Sequence, residues 1–151
     1  MSHEEIPIPE ETHVSLEFKQ SDLPGFATVN SALQGFEPKI FFSWHLSILI
    51  ACEQLMNHRL PSPEEQSLLY EFENKLDPLI KAKRNAVFFA RVTHDAYRVL
   101  VWRVHNPEIA DAILREILRN KKYPREFEYR IDEDPRWEKA AWYLDGIAVR
   151  H

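Results

Sequence analysis

Lys39-Ile40-Phe41-Phe42-Ser43-Trp44-His45-Leu46-Ser47-Ile48-Leu49-Ile50-Ala51-Cys52 is the stretch on which the fold turns. Ile40, Phe42, Trp44, Leu46, Ile48, Ile50 and Cys52 share one parity, and Phe41, Ser43, His45, Ser47 and Leu49 the other. Successive side chains of a strand point to opposite faces, so residues 39–52 read as one strand with an apolar face and a mixed face.

Beyond it, three helix starts repeat one device, a capping side chain followed by proline: Ser62-Pro63, Asn106-Pro107 and Asp134-Pro135. Ser62 and Glu65 have capping-box spacing, and Leu68, Leu69, Phe72, Leu76, Leu79 and Ile80 trace a stripe along the first helix. Pro78 is expected to kink or fray its last turn. Ile109, Ala110, Ile113, Leu114, Ile117 and Leu118 form the core-facing stripe of the second. Trp137, Ala140, Ala141 and Leu144 predict a short third helix closing the chain.

Between the first two helices, residues 86–93 and 97–104 predict a hairpin turning near His94-Asp95-Ala96. After the second helix, Phe127, Tyr129 and Ile131 alternate with Glu126, Glu128 and Arg130, a strand with one wet face. From residue 39 the order is β-α-β-β-α-β, so the expected fold is α+β: a ferredoxin-like split βαβ antiparallel sheet with two helices on one face. Toward the N-terminus, Val14, Leu16 and Phe18 predict a strand, and residues 26–33 a second, both extending the sheet. Residues 1–12, with two Ile-Pro steps and no amphipathic period, read as a flexible arm before a single domain over residues 13–151.

Strand parity then sorts candidate binding residues. With Asp95-Ala96 as a two-residue turn, Val92 pairs with Val99, Ala90 with Val101 and Phe88 with Arg103, an apolar set expected to face the helices. Thr93, Arg98, Arg91, Leu100, Phe89 and Trp102 then belong to an open face, joined there by His45 and by Glu128 and Arg130. Trp and Arg suit interface anchors, so His45, Arg91, Thr93, Arg98, Trp102, Glu128 and Arg130 are the candidate binding residues. The bland reading is that N-terminal strands or a second subunit simply cover this face.

Catalytic signatures are not found. His45, His58, His94 and His105 form no i, i+4 helical pair and have no nearby Cys pair, so no metal site is expected. The parity of Cys52 points it into the core, where a thiol is inert. Asp132-Glu133-Asp134 reads as helix capping rather than paired catalytic carboxylates. Three glycines are too few for a phosphate cradle, so no nucleotide cofactor, and no other, is expected.

A chain of 151 residues has the size of one domain and buries enough surface to need no staples. With 24 acidic and 19 basic side chains the formal charge is −5, which opposes general binding to nucleic acid. Arg115, Arg119, Lys121 and Lys122 instead complement a helix C-terminus. A single cysteine, no signal peptide and no apolar run long enough to span a bilayer predict a cytoplasmic protein without membrane contact.

Several stretches resemble the bacterial domain-of-unknown-function family 695: Phe26-Ala27-Thr28-Val29-Asn30, Trp44, Ser62-Pro63-Glu64-Glu65, Arg91-Val92-Thr93, and Arg125-Glu126-Phe127-Glu128-Tyr129-Arg130 leading to Asp134-Pro135. That family looks similar to the regulator of ribonuclease E activity B family, which implies a ferredoxin-like fold and action through protein binding. The expected function is a non-enzymatic protein-binding module that inhibits or regulates one partner protein, of regulator or toxin-immunity type. Two alternatives stand beside it: an enzyme or sensor for a small anion held by Arg91, Arg98 and His45, and a structural homodimer built on the same face.

Overall fold

The computed structural model describes residues 2–150; Met1 and His151, the outer ends of the arm and domain read above, lie outside them. Its strands are β1 (His13–Gln20), β2 (Leu23–Asn30), β3 (Trp44–Ala51), β4 (Leu55–Met56), β5 (Leu60–Pro61), β6 (Ala86–His94), β7 (Tyr97–Val104) and β8 (Phe127–Glu133). The helices are α1 (Pro63–Lys81), α2 (Pro107–Arg119) and α3 (Ala141–Arg150). Six strands form one antiparallel sheet in the order β1-β2-β6-β7-β3-β8, and β4 pairs with β5 separately. The class is α+β.

The sequence signals act locally as expected at both main helix starts. Ser62 Oγ accepts from the Glu65 amide at 3.2 Å, and Asn106 Oδ1 accepts from the amides of Glu108 and Ile109 at 3.0 and 3.4 Å. Asp134 also caps, but later than its proline implies: its carboxylate accepts from the amides of Glu138 and Lys139 at 2.9 and 3.0 Å, starting a 3-10 turn, Glu138–Ala140, that leads into α3. Gly25 lies opposite Phe18, and a Cβ there would stand 2.2 Å from the phenyl ring, so only glycine lets that ring lie across β2.

One strand is shorter than predicted, and β2 runs over Leu23–Asn30 instead of residues 26–33, the same length shifted toward the N-terminus. Residues 39–42 form a 3-10 turn rather than the start of β3. The reason is tertiary: Trp137 Nε1 donates to the carbonyls of Lys39 and Phe42 at 3.1 and 3.0 Å, and Phe42 inserts its ring into a core. Likewise β2 ends at Asn30, whose side chain accepts from the Ala32 amide and opens a 3-10 turn over Ser31–Leu33.

Both faces of the sheet are covered. On one, Leu69, Phe72, Leu76 and Ile80 of α1 and Ala110 and Leu114 of α2 pack on Leu46, Ile48, Ile50, Phe88, Leu100, Trp102 and Phe127. On the other, Val29, Val87, Phe89, Ala90 and Val101 meet Ile6, Leu33, Phe36, Phe42, Trp137 and Ala140, with Tyr143 and Leu144 of α3 at the margin. Residues before β1 are tied to the fold: Ile6 is buried in this second layer and its carbonyl accepts from Arg84, while Glu11 accepts from Lys81 at the end of α1.

This layering corrects the parity assignment. Ala90, Val92 and Val101 face the second layer, while Leu100, Trp102 and Arg98 face α1. Two physical causes act on different residues, the first on those before Ala90 and the second on Ala90, Val92 and Val101. Phe89 is the extra residue of a β-bulge, so Phe88 rather than Phe89 pairs with Trp102, which reverses the faces of the preceding residues relative to Ala90. A sheet covered on both faces also makes both parities of its central strands apolar, so polarity no longer marks the helix side.

Candidate functional site

Sheet parity and the position of α1 bring Arg91, Thr93 and Arg98 to one cleft of about 270 Å³, between β2, the β6–β7 hairpin, the β4–β5 pair and the N-terminal half of α1. Phe26, Thr28, Met56, Leu60, Pro61, Gln66 and Tyr70 complete its walls. Thr93 and Arg98 are cross-strand partners, and Phe26 lies opposite Thr93 on β2, so three adjacent strands present one row of side chains into the cleft.

The two arginines are held differently. Arg91 forks onto Glu73 of α1, with Nε 2.7 Å from Oε1 and Nη2 2.6 Å from Oε2. Burial alone would lower its pKa, but the paired Glu73 carboxylate outweighs burial and the net direction is upward. Arg98 is only 2% exposed and has no carboxylate on it. Its Nε donates to Thr93 Oγ1 at 3.1 Å and its Nη2 to Gln66 Oε1 at 2.7 Å, both neutral acceptors. Among the buried side-chain nitrogens and oxygens of the described residues, Arg98 Nη1 alone lacks a hydrogen-bond partner. Burial pulls the pKa of Arg98 below its ordinary value, and the neighbouring Arg91 charge acts in the same direction. The Tyr70 ring lies 4.9 Å from both guanidinium carbons, so its face offers the attraction to cations that no carboxylate supplies to Arg98.

A second buried arginine shows what full satisfaction looks like. Arg103 is inaccessible to solvent; its Nη1 lies 2.9 Å from Asp134 Oδ2 and 3.1 Å from His45 Nδ1, and its Nη2 donates to the Asp134 carbonyl at 2.6 Å. Its Nε reaches the Phe42 carbonyl at 3.3 Å and its guanidinium lies over the Trp137 ring. This cluster ties β7 to the 3-10 turn of residues 39–42 and to the Asp134 cap that precedes the 3-10 turn Glu138–Ala140. Burial, then Arg103, pulls His45 down to about 4, so the ring is neutral and accepts at Nδ1. A third buried charge, Glu65, is held by Arg125 through Nε and Nη2 at 2.8 and 2.7 Å and accepts from the Glu53 amide; these bonds outweigh burial and lower its pKa.

The seven sequence-selected residues therefore do not form one surface. Arg91, Thr93 and Arg98 are together, on the helix side rather than on an open face. Trp102 is fully buried on that side, with Nε1 donating to Asp77 Oδ1 at 2.9 Å and its ring edge-on to Phe88. His45 belongs to the Arg103 cluster on the opposite side, and Glu128 and Arg130 are exposed on β8, where Arg130 meets Asp132 at 3.3 Å. Sequence reasoning missed Phe26, Met56, Gln66, Tyr70 and Glu73. Tyr70 carries the one legible signal, an aromatic on α1 off its apolar stripe.

Cys52 is buried, and burial pushes its thiol up to about 11. Among the described residues no group of three or more His, Cys, Asp and Glu side chains is arranged to hold a metal ion, and no helix is long and apolar enough to cross a membrane. In comparisons with known proteins, residues 19–145 match a family of unknown function, DUF695. No curated protein and no solved structure matches the chain.

Proposed function

The chain belongs to that family of unknown function, which its match covers from residue 19 to residue 145, and we propose that it is a cytoplasmic, non-enzymatic protein-binding module that regulates one partner protein. The observation that carries this reading is the mouth of the Arg98 cleft. Phe26, Met56 and Tyr70, from three separate elements, stand there 44, 51 and 40% exposed around a buried, unbalanced cation. Aromatic side chains, methionine and arginine are the residue types enriched at the centres of protein interfaces, and covering the apolar ones is favourable by about 25 cal/mol per Å². A partner presenting an acidic group beside an apolar one complements this mouth in charge and polarity. The likeness expected from the sequence between this family and the regulator of ribonuclease E activity B family is in keeping with a regulator, and an immunity protein is the other form such a module takes.

Quantitative affinity capture with wild type and Met56→Glu tests the reading. Because Met56 is half exposed, the variant keeps the wild-type melting profile; one protein enriched by wild type falls about tenfold with Met56→Glu and is retained by Ile40→Glu, a change at an exposed apolar residue outside the mouth. A captured set that does not distinguish Met56→Glu from wild type overturns it.

A further inference from the structure

We infer that the Arg98 cleft is a carboxylate subsite, which takes an aspartate or glutamate side chain of the partner with an apolar residue beside it. The inference rests on the protein-docking reading above and names the chemistry of the anchor.

The argument starts from charge. Arg91 and Arg98 bring two cations into the cleft wall, and Glu73 supplies one anion, taken by Arg91 through both oxygens. Arg103, equally buried, has Asp134 on it; Arg98 has only Gln66 and Thr93, and its Nη1 has nothing. Guanidinium groups stay protonated in proteins, so this is a buried positive charge without a counter-charge, an arrangement that an incoming anion relieves.

The kind of anion follows from the same count. One unbalanced charge and one free nitrogen match a monoanion. A phosphoryl group, with roughly −1.5 to −2 charge, would leave excess negative charge beside Glu73. Phe26, Met56, Leu60 and Pro61 make much of the remaining wall apolar and favour an apolar neighbour, while Thr28 and Tyr70 bring hydroxyl groups, so charge rather than hydrogen-bond capacity selects a carboxylate over a phosphate. Its volume of about 270 Å³ lies just under the roughly 300–1,000 Å³ of sites that enclose a drug-sized ligand, so it fits one or two side chains rather than a large cofactor. Nη1 is screened from solvent, so entry requires a side chain of the cleft to turn aside; the Tyr70 ring lies over the Arg98 guanidinium, and Met56, half exposed and unbranched, gives the rim a side chain that adapts readily.

The test observes the arginine Nε–H resonances of the wild-type protein by NMR during titration with the capped dipeptide acetyl-Leu-Glu-amide. The neutral acetyl-Leu-Gln-amide, inorganic phosphate and benzoate serve as comparisons. The Arg98 signal, assigned on the wild type and checked by its loss in Arg98→Gln, is expected to move with the glutamate peptide and to respond about tenfold more weakly or not at all to the glutamine peptide. Phosphate at equal concentration is expected to leave it in place. An equal response to the two peptides, a stronger response to phosphate, or binding of benzoate without binding of the glutamate peptide overturns the inference, the last by assigning the site to a free organic acid. Because the titration is read on the wild type, it stands even if Arg98→Gln fails to fold. The two readings fail separately: a partner lost by Met56→Glu with an unmoved Arg98 signal removes the carboxylate anchor and leaves docking. A peptide response without any Met56-sensitive partner removes the protein source.

Discussion

Acidification should destabilise this protein through His45, and the structure sets the size of the effect. The ring is 6% exposed, its Nδ1 lies 3.1 Å from Arg103 Nη1, and arginine has only donors, so Nδ1 must be an unprotonated acceptor. Burial and Arg103 together lower its pKa from 6.5 to about 4. Above about 6.5 the ring is neutral in both folded and unfolded chains, and below about 4 it is protonated in both. Between these limits the unfolded chain binds a proton that the folded one excludes, so stability falls as pH is lowered through this window. At about 1.4 kcal/mol per pH unit, the full loss is about 3 kcal/mol, most of it reached by pH 4.5. Urea titrations at pH 7, 6, 5 and 4.5 on wild type and His45→Asn isolate this contribution, because asparagine Oδ1 stands where Nδ1 accepts from Arg103 and does not titrate. Asp134, Glu65 and Glu11, held below their ordinary values, also lose stabilisation in acid, but do so in both proteins. Relative to the variant, the wild-type midpoint should fall by about 1 M urea between pH 7 and 4.5. A constant difference between the two proteins across that range would refute a neutral, proton-excluding His45.

Two further outcomes follow from burial. Trp102→Ala should destabilise the fold by about 3–5 kcal/mol in denaturant titration, since it empties the space beneath α1 and leaves Asp77 Oδ1 without its donor; a change below 1 kcal/mol would contradict the packing. Cys52, with its thiol pushed up to about 11, should remain unmodified by iodoacetamide at pH 8 in the native protein and react in denaturant, and rapid native labelling would show that the core opens there.

What the sequence determined by itself was local or periodic. Ser62-Pro63 and Asn106-Pro107 start helices because a capping oxygen and a fixed proline φ act within one turn, whatever lies beyond. The hairpin register from His94↔Tyr97 back to Ala90↔Val101 follows from a two-residue turn and period-two alternation. Most of the β-α-β-β-α-β order was legible for the same reason. Only the tertiary structure decided which way each face points and what lies on it. Both sheet faces are covered, so the apolar parities that marked Val92 and Ala90 as helix-facing carried no information about sidedness, and the bulge at Phe89 separately reversed the residues before it. The same holds for the site. Arg91, Thr93 and Arg98 were legible as neighbours along a hairpin, but whether a buried guanidinium finds a carboxylate depends on residues far away in the chain. Asp134 comes to Arg103 and Glu73 to Arg91, while Arg98 receives only Gln66 and Thr93. Long-range electrostatic pairing of this kind has no period and no local signature, so it emerges only when the chain is folded.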